Sequence, residues 1–229
     1  MSEWWTYSLA DFLLFSPRVY YRLFELHNGA LWPAHIVTLI LGLALLLLLG
    51  KPSRATNRLI PAFLGALWLW IAWAFFWDRY ATINWAAPYV AAFFAAEALL
   101  LISIGAAGKL AFAPRHDVFD RAGIALLAFA LAGYPLLAPL MGRPWTAAEV
   151  FGIAPDPTAV ATLAVLALAH GRAKWVLMPI PLIWCAMTGA TLWTMEASDF
   201  FIAPLAALGA VAIACARKFA AMGAQHAVQ

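Results

Sequence analysis

Two acidic residues stand out in a chain this apolar. Glu97 falls in the middle of the apolar run 85–108. A charged side chain at the centre of a bilayer costs about 2.5–3.5 kcal/mol even on permissive scales. Its neighbours one helical turn away are Phe93, Phe94, Leu100 and Leu101, none of which can pair with it. Relief must come from another helix, a watery cavity or a proton. Two readings follow: a proton-coupling or cation-binding carboxylate, or a neutral side chain hydrogen-bonded between helices. Asp156 is the second acid, set between Pro155 and Pro157. Flanking prolines restrict the backbone, leaving a fifth segment that is short or broken. Such a segment presents backbone groups to a substrate, or it is an ordinary kinked loop.

Polar side chains that can accompany these acids are few. Thr188, Thr191 and Thr194 share one face of the sixth segment, where they would line a polar path, glue helices together or bond back to their own carbonyls. His35 and His170 are too far apart in sequence to suggest a metal site, and are expected to be interfacial polar groups. Cys185 and Cys215 sit in neighbouring apolar segments, and thiolate sites need more ligands than two. No metal and no cofactor are expected. There is no glycine-rich phosphate loop, no His-Glu-x-x-His helix and no Gly-x-Ser-x-Gly elbow, so an enzyme is not expected either.

The elements that position these residues are apolar segments. Of 229 residues, 66% are hydrophobic and only 11% charged, more apolar surface than a soluble domain of this size can cover. A bilayer-spanning helix needs about 20 mostly apolar residues. The runs 31–50, 58–77, 85–108, 121–141, 151–171, 173–194 and 199–217 meet or approach that length, so the expected fold is an all-α bundle of seven transmembrane helices. Ahead of it, residues 1–30 combine aromatic and charged residues around Pro17. They are expected to form two short amphipathic helices on the outer surface, as an anchor or a lid. Residues 218–229 form a short tail. Asn84 is expected to cap the third segment, and Asp78 with Arg79 to form a loop pair.

Loop charges set the orientation. Counted over alternate loops, Lys and Arg number ten on one side against four on the other, the four being Arg18, Arg22, Arg79 and Arg143. The positive-inside rule then puts the N-terminus outside and the C-terminus in the cytoplasm. The net charge of +3 reflects this asymmetry, and nucleic acid is not an expected partner. A partner is expected in the bilayer itself, in a small solute or ion, and in a membrane protein or second copy of the chain.

Prolines suggest an internal repeat. Pro33, Pro61 and Pro88 are spaced by 28 and 27 residues, and Pro157, Pro179 and Pro204 by 22 and 25. Pairing the two trios gives a 3+1+3 plan with the fourth segment as the inverter, as in small transporters built from parallel repeats. Proline is also favoured in any first helical turn, which accounts for the match without a repeat.

Several stretches resemble a bacterial integral-membrane family known only as a domain of unknown function. They are His27-Asn28-Gly29-Ala30-Leu31-Trp32-Pro33-Ala34, Leu67-Trp68-Leu69-Trp70, Ile83-Asn84-Trp85-Ala86-Ala87, Phe151-Gly152-Ile153-Ala154-Pro155-Asp156-Pro157-Thr158 and Ile180-Pro181-Leu182-Ile183-Trp184. The resemblance implies a multi-pass protein of the bacterial inner membrane and no particular activity. This chain has Asp156 and Phe76 at places where the family pattern often has Cys and His, so thiol or imidazole metal chemistry is not expected here. Architecture then favours a small transporter or facilitator, with Glu97, Asp156, Thr188 and Thr191 binding substrate or proton. The alternative, different in kind, is a non-catalytic structural subunit of a larger membrane complex.

Overall fold

A computed structural model describes residues 15–114 and 117–226. The first half of the expected amphipathic segment and the last residues of the tail lie outside them. Eight helices carry the described chain: α1 (Pro17–Leu31), α2 (Ala34–Leu49), α3 (Arg54–Ile71), α4 (Ala87–Ala106), α5 (Val118–Ala128), α6 (Pro155–Leu168), α7 (Pro179–Thr194) and α8 (Ile202–His226). No strand occurs among the described residues; one isolated bridge joins Ala111 to His170.

Five stretches are long and apolar enough to cross a membrane: Arg54–Thr82, Ala87–Ala106, Val118–Leu140, Lys174–Thr194 and Ile202–Ala220. They correspond, within three residues at most ends, to the second, third, fourth, sixth and seventh expected segments. Two of them outrun their α-helical cores through π-turns, Ala72–Trp77 after α3 and Phe129–Gly133 after α5. The first expected segment survives as α2, which passes the same test only together with α1, and the two are bent by 88° at Trp32-Pro33.

Pro17 opens α1, the second of the two expected short helices, with the Ser16 side chain accepting from the Val19 amide at 3.4 Å. A proline in the first turn forfeits an amide that has no intrahelical partner anyway. Pro155 follows the same rule. The paired prolines were expected to prevent regular helix there; instead Pro155-Asp156-Pro157 is itself the first turn of α6. Asn84 departs as well. Its Oδ1 accepts from the Ala86 amide at 2.9 Å, one turn-residue short of a cap, and Ala86 takes the cap position without a side-chain bond. Asp78 and Arg79 do pair, at 3.4 Å.

Burial singles out α6. Every residue from Phe151 to Ala169 is buried, although α6 is only 14 residues long. It packs against α3, α5, α7 and α8, which enclose it as a central post. By contrast α2 shows Ile36, Val37, Ile40, Leu43 and Leu47 to its surroundings. Its buried face is reduced to Thr38, Gly42, Leu45 and Leu49. The proline trios therefore equate a peripheral helix with the innermost one.

Candidate functional site

Asp156 is the hub. The helix N-terminus would ordinarily supply amides to a carboxylate in its first turn, but Pro155 and Pro157 remove two of the donors. The carboxylate is satisfied from other helices instead. Trp184 Nε1 donates to Oδ1 at 2.8 Å, while Thr188 Oγ1 at 3.0 Å and the Tyr134 hydroxyl at 3.2 Å both donate to Oδ2. Trp184 and Thr188 lie on α7, one turn apart. Tyr134 directly follows the π-turn that widens α5, a distortion frequent at functional sites. All four residues are buried. The three donors are neutral, so no cation offsets the carboxylate.

Above this hub, toward the loops, sits a second acidic layer. Arg143 and Asp199 form an ion pair with little exposure on either side chain, and the Arg143 guanidinium also lies 4.5 Å from the centre of the Tyr21 ring. Glu149 shares this layer. Its Oε2 is shut off from solvent without a hydrogen-bond partner. Burial holds the Glu149 carboxyl well above the usual range; the Asp156 charge adds to this and Arg143 opposes it.

The loop that carries Glu149 is fastened from two directions. Asn28 Nδ2 on α1 donates to the carbonyls of Thr146 and Ala148, each at 2.8 Å, and His27 Nε2 lies 3.3 Å from the Ile153 carbonyl. Asn28 Oδ1 in turn lies 3.1 Å from His35 Nε2. Gly152 has φ +75°, and a Cβ there would meet Thr38 Cγ2 at 3.1 Å. Its amide donates to Thr158 Oγ1 at 2.8 Å. The stretches His27–Ala34 and Phe151–Thr158 are thus two halves of one joint, which aims Asp156 at α7.

A wall of aromatic rings separates Asp156 from Glu97. Trp184 packs edge-on against Phe76 (5.0 Å) and Phe94 (5.3 Å), and Phe94 lies 4.3 Å from Trp68. Trp68 Nε1 donates to Thr162 Oγ1 at 2.8 Å, so two tryptophans grip α6 from different helices. Glu97 stands one turn beyond Phe94 on the buried face of α4. It is fully buried, and neither carboxylate oxygen has a hydrogen-bond partner.

Of the four residues expected to bind substrate or proton, the fold joins Asp156 and Thr188 directly and leaves Glu97 apart. Thr191 is half-buried and bonds back to the Met187 carbonyl at 2.9 Å; Thr194 does the same to the Thr191 carbonyl at 2.7 Å. Sequence reasoning missed Tyr134, Trp184, Glu149 and the Arg143–Asp199 pair. Only the helical spacing of Trp184 and Thr188 hinted at a shared target.

At the opposite end, Arg217 pairs with Asp120, both buried, and its Nη2 lies 2.9 Å from His170 Nε2. Both cysteines are free, Cys185 buried and Cys215 partly so. Among the described residues no group of three His, Cys, Asp or Glu side chains is placed to hold a metal ion.

No curated protein and no solved structure matches the chain. Residues 17–225 match a family described as a family of unknown function (DUF6064), and the chain belongs to that family.

Proposed function

We propose that the protein is a small transporter or facilitator of the bacterial cytoplasmic membrane, N-terminus outside, that moves a small solute or ion with a proton or cation bound at Asp156. One observation carries the reading. Asp156 is a buried carboxylate held by three neutral donors from two other helices, and a proton or cation is the component that would balance it. Intramembrane acids of this kind mark ion pathways and proton relays. Glu97, behind the aromatic wall and without a partner, serves as a second protonatable group on the same route.

The seven crossings on this reading are α2 to α8, with α6 as a short, enclosed one. At about 1.5 Å per residue its 14 residues rise about 21 Å, less than the roughly 30 Å hydrocarbon core. Short or interrupted helices meeting at mid-membrane are characteristic of transporter binding sites. The two-triplet plan would make α2 the counterpart of α6. Their opposite burial weighs against pairing α2 with α6.

Proteoliposomes containing a pH-sensitive dye test the reading. The wild-type protein is expected to dissipate an imposed pH gradient, or to couple it to uptake from a mixed pool of small metabolites. Asp156→Asn is expected to abolish this while remaining folded. Unchanged flux in Asp156→Asn would sink the role of that carboxylate. A stoichiometric protein partner on gentle extraction, with no flux from the isolated chain, would favour the subunit reading.

A further inference from the structure

The end of the molecule that should be poor in basic residues gathers three of its four arginines around one cavity. Arg18 and Arg22 stand one turn apart on α1, Arg79 faces them from the turn that ends the α3 stretch, and Tyr21 completes the polar wall. The fourth, Arg143, lies over that same Tyr21 ring. The cavity holds about 630 Å³, within the range of small-ligand sites. Val19, Leu23, Leu26 and Ile83 form an apolar wall, and Glu25 and Thr82 complete the lining.

Charge in the wall is unbalanced. Three arginines face one acid, Glu25, which is taken by Arg22. Arg79 touches Asp78 at 3.4 Å through Nε, which leaves its terminal nitrogens for another acceptor. Arg18 has no ion-pair partner among the described residues. Geometry places the cavity at an interface as well. With α2 crossing the bilayer, the 88° bend lays α1 along the surface, arginines at headgroup level and leucines toward the acyl chains. Basic clusters at that depth recognise anionic headgroups, and a guanidinium matches phosphate oxygens in bidentate fashion.

We propose that this cavity is a binding site for an anionic phospholipid, its phosphate between Arg18, Arg22 and Arg79 and its first acyl methylenes against the leucine wall. The site is independent of whether the protein transports anything.

The test uses the full chain, delipidated in a neutral detergent, and follows its thermal unfolding while phosphatidylglycerol, phosphatidylcholine or inorganic phosphate is added. Phosphatidylglycerol is expected to raise the melting temperature. In R18Q/R22Q/R79Q, whose side chains lie at the surface, its half-effective concentration is expected to rise about tenfold. K51Q/R54Q/R58Q, which removes three charges from the other end, is expected to keep the wild-type response. Three results would overturn the proposal: an unchanged response in R18Q/R22Q/R79Q, equal loss in K51Q/R54Q/R58Q, or equal protection by inorganic phosphate. The last would point to a soluble anion in place of a lipid.

Discussion

Asp120 and Arg217 close one end of the α5–α8 pair with a buried ion pair, and Arg143 with Asp199 closes the other. The two clasps are mirror images. Asp120 stands near the start of its stretch and Arg143 just beyond the end, while Asp199 precedes α8 and Arg217 stands well along it, so antiparallel packing brings opposite charges together twice. From Asp120 to Leu140 the chain rises about 30 Å at 1.5 Å per residue, which is close to the hydrocarbon thickness. On the proposed transmembrane reading the clasps would fall where the bilayer gives way to headgroups, with α6 held between them.

Breaking a clasp on one side only is expected to be costly. Removing one partner of a buried pair leaves an uncompensated charge, worth about 3–5 kcal/mol, whereas replacing both by apolar residues is often neutral. Asp120→Leu and Arg217→Leu are each expected to be strongly destabilised, and the double variant largely restored. Denaturation of the three variants in detergent micelles checks this; additive losses would refute the clasp.

The Asp156 hub separates charge from hydrogen bonding. Asp156→Ala strands the Trp184, Thr188 and Tyr134 donors, at about 1–3 kcal/mol for each buried group left unsatisfied. Asp156→Asn keeps an acceptor oxygen for Trp184 and should cost markedly less. Comparing the two in melting experiments, and both in the flux assay, distinguishes a packing knot from a titrating site. A packing knot predicts that Asp156→Asn retains full activity.

Glu97 is expected to trade stability for function. A buried carboxyl with no partner carries its desolvation cost unrelieved, so Glu97→Leu should raise the melting temperature while lowering flux. A destabilised Glu97→Leu would show that the side chain has a structural partner after all.

Glu149 gives the pH dependence a sign. Its folded-state carboxyl titrates well above the usual range, chiefly through burial, so it stays protonated where the unfolded chain, near pH 4.3, has ionised. Its contribution is full below that pH and is lost as pH rises toward the folded value. Melting temperature followed from pH 4 upward should therefore fall in the wild type relative to Glu149→Gln. Parallel curves would mean that Glu149 is already ionised in the fold.

Gly152 tests the joint that aims Asp156. Its positive φ strains any side chain and the 3.1 Å approach of Thr38 makes the space tight, and alanine where φ is positive destabilises by more than about 1 kcal/mol. Gly152→Ala is expected to do so and to weaken flux, read from melting and from the proteoliposome assay together.

Much of this fold is written in apolar run lengths, because a segment that crosses lipid must satisfy its own backbone and show lipid an apolar surface. That constraint located the five long stretches and the bend-linked α2. It fails for α6, where Asp156, Thr158 and Thr162 can be polar because protein, not lipid, surrounds them. The proline pair misled for a related reason: the rule against proline in helices lapses in the first turn, and only the fold shows where that turn is. Asp156 and Glu97 were legible as misplaced charges. Tyr134 and Trp184 were not, since an aromatic residue in an apolar segment reads the same whether its polar tip meets a carboxylate or water.

The enclosure of α6 also bears on the order in which the protein is made. Half of the helices that surround it, α7 and α8, are synthesised after it. Until residue 202 and beyond emerge from the ribosome, a helix with a buried acid and two threonines has no complete protein coat. Enclosure of α6 is therefore completed only by the C-terminal quarter of the chain. A nascent protein cut short before α7 would leave Asp156 without Trp184 and Thr188, two of the three donors that satisfy its carboxylate.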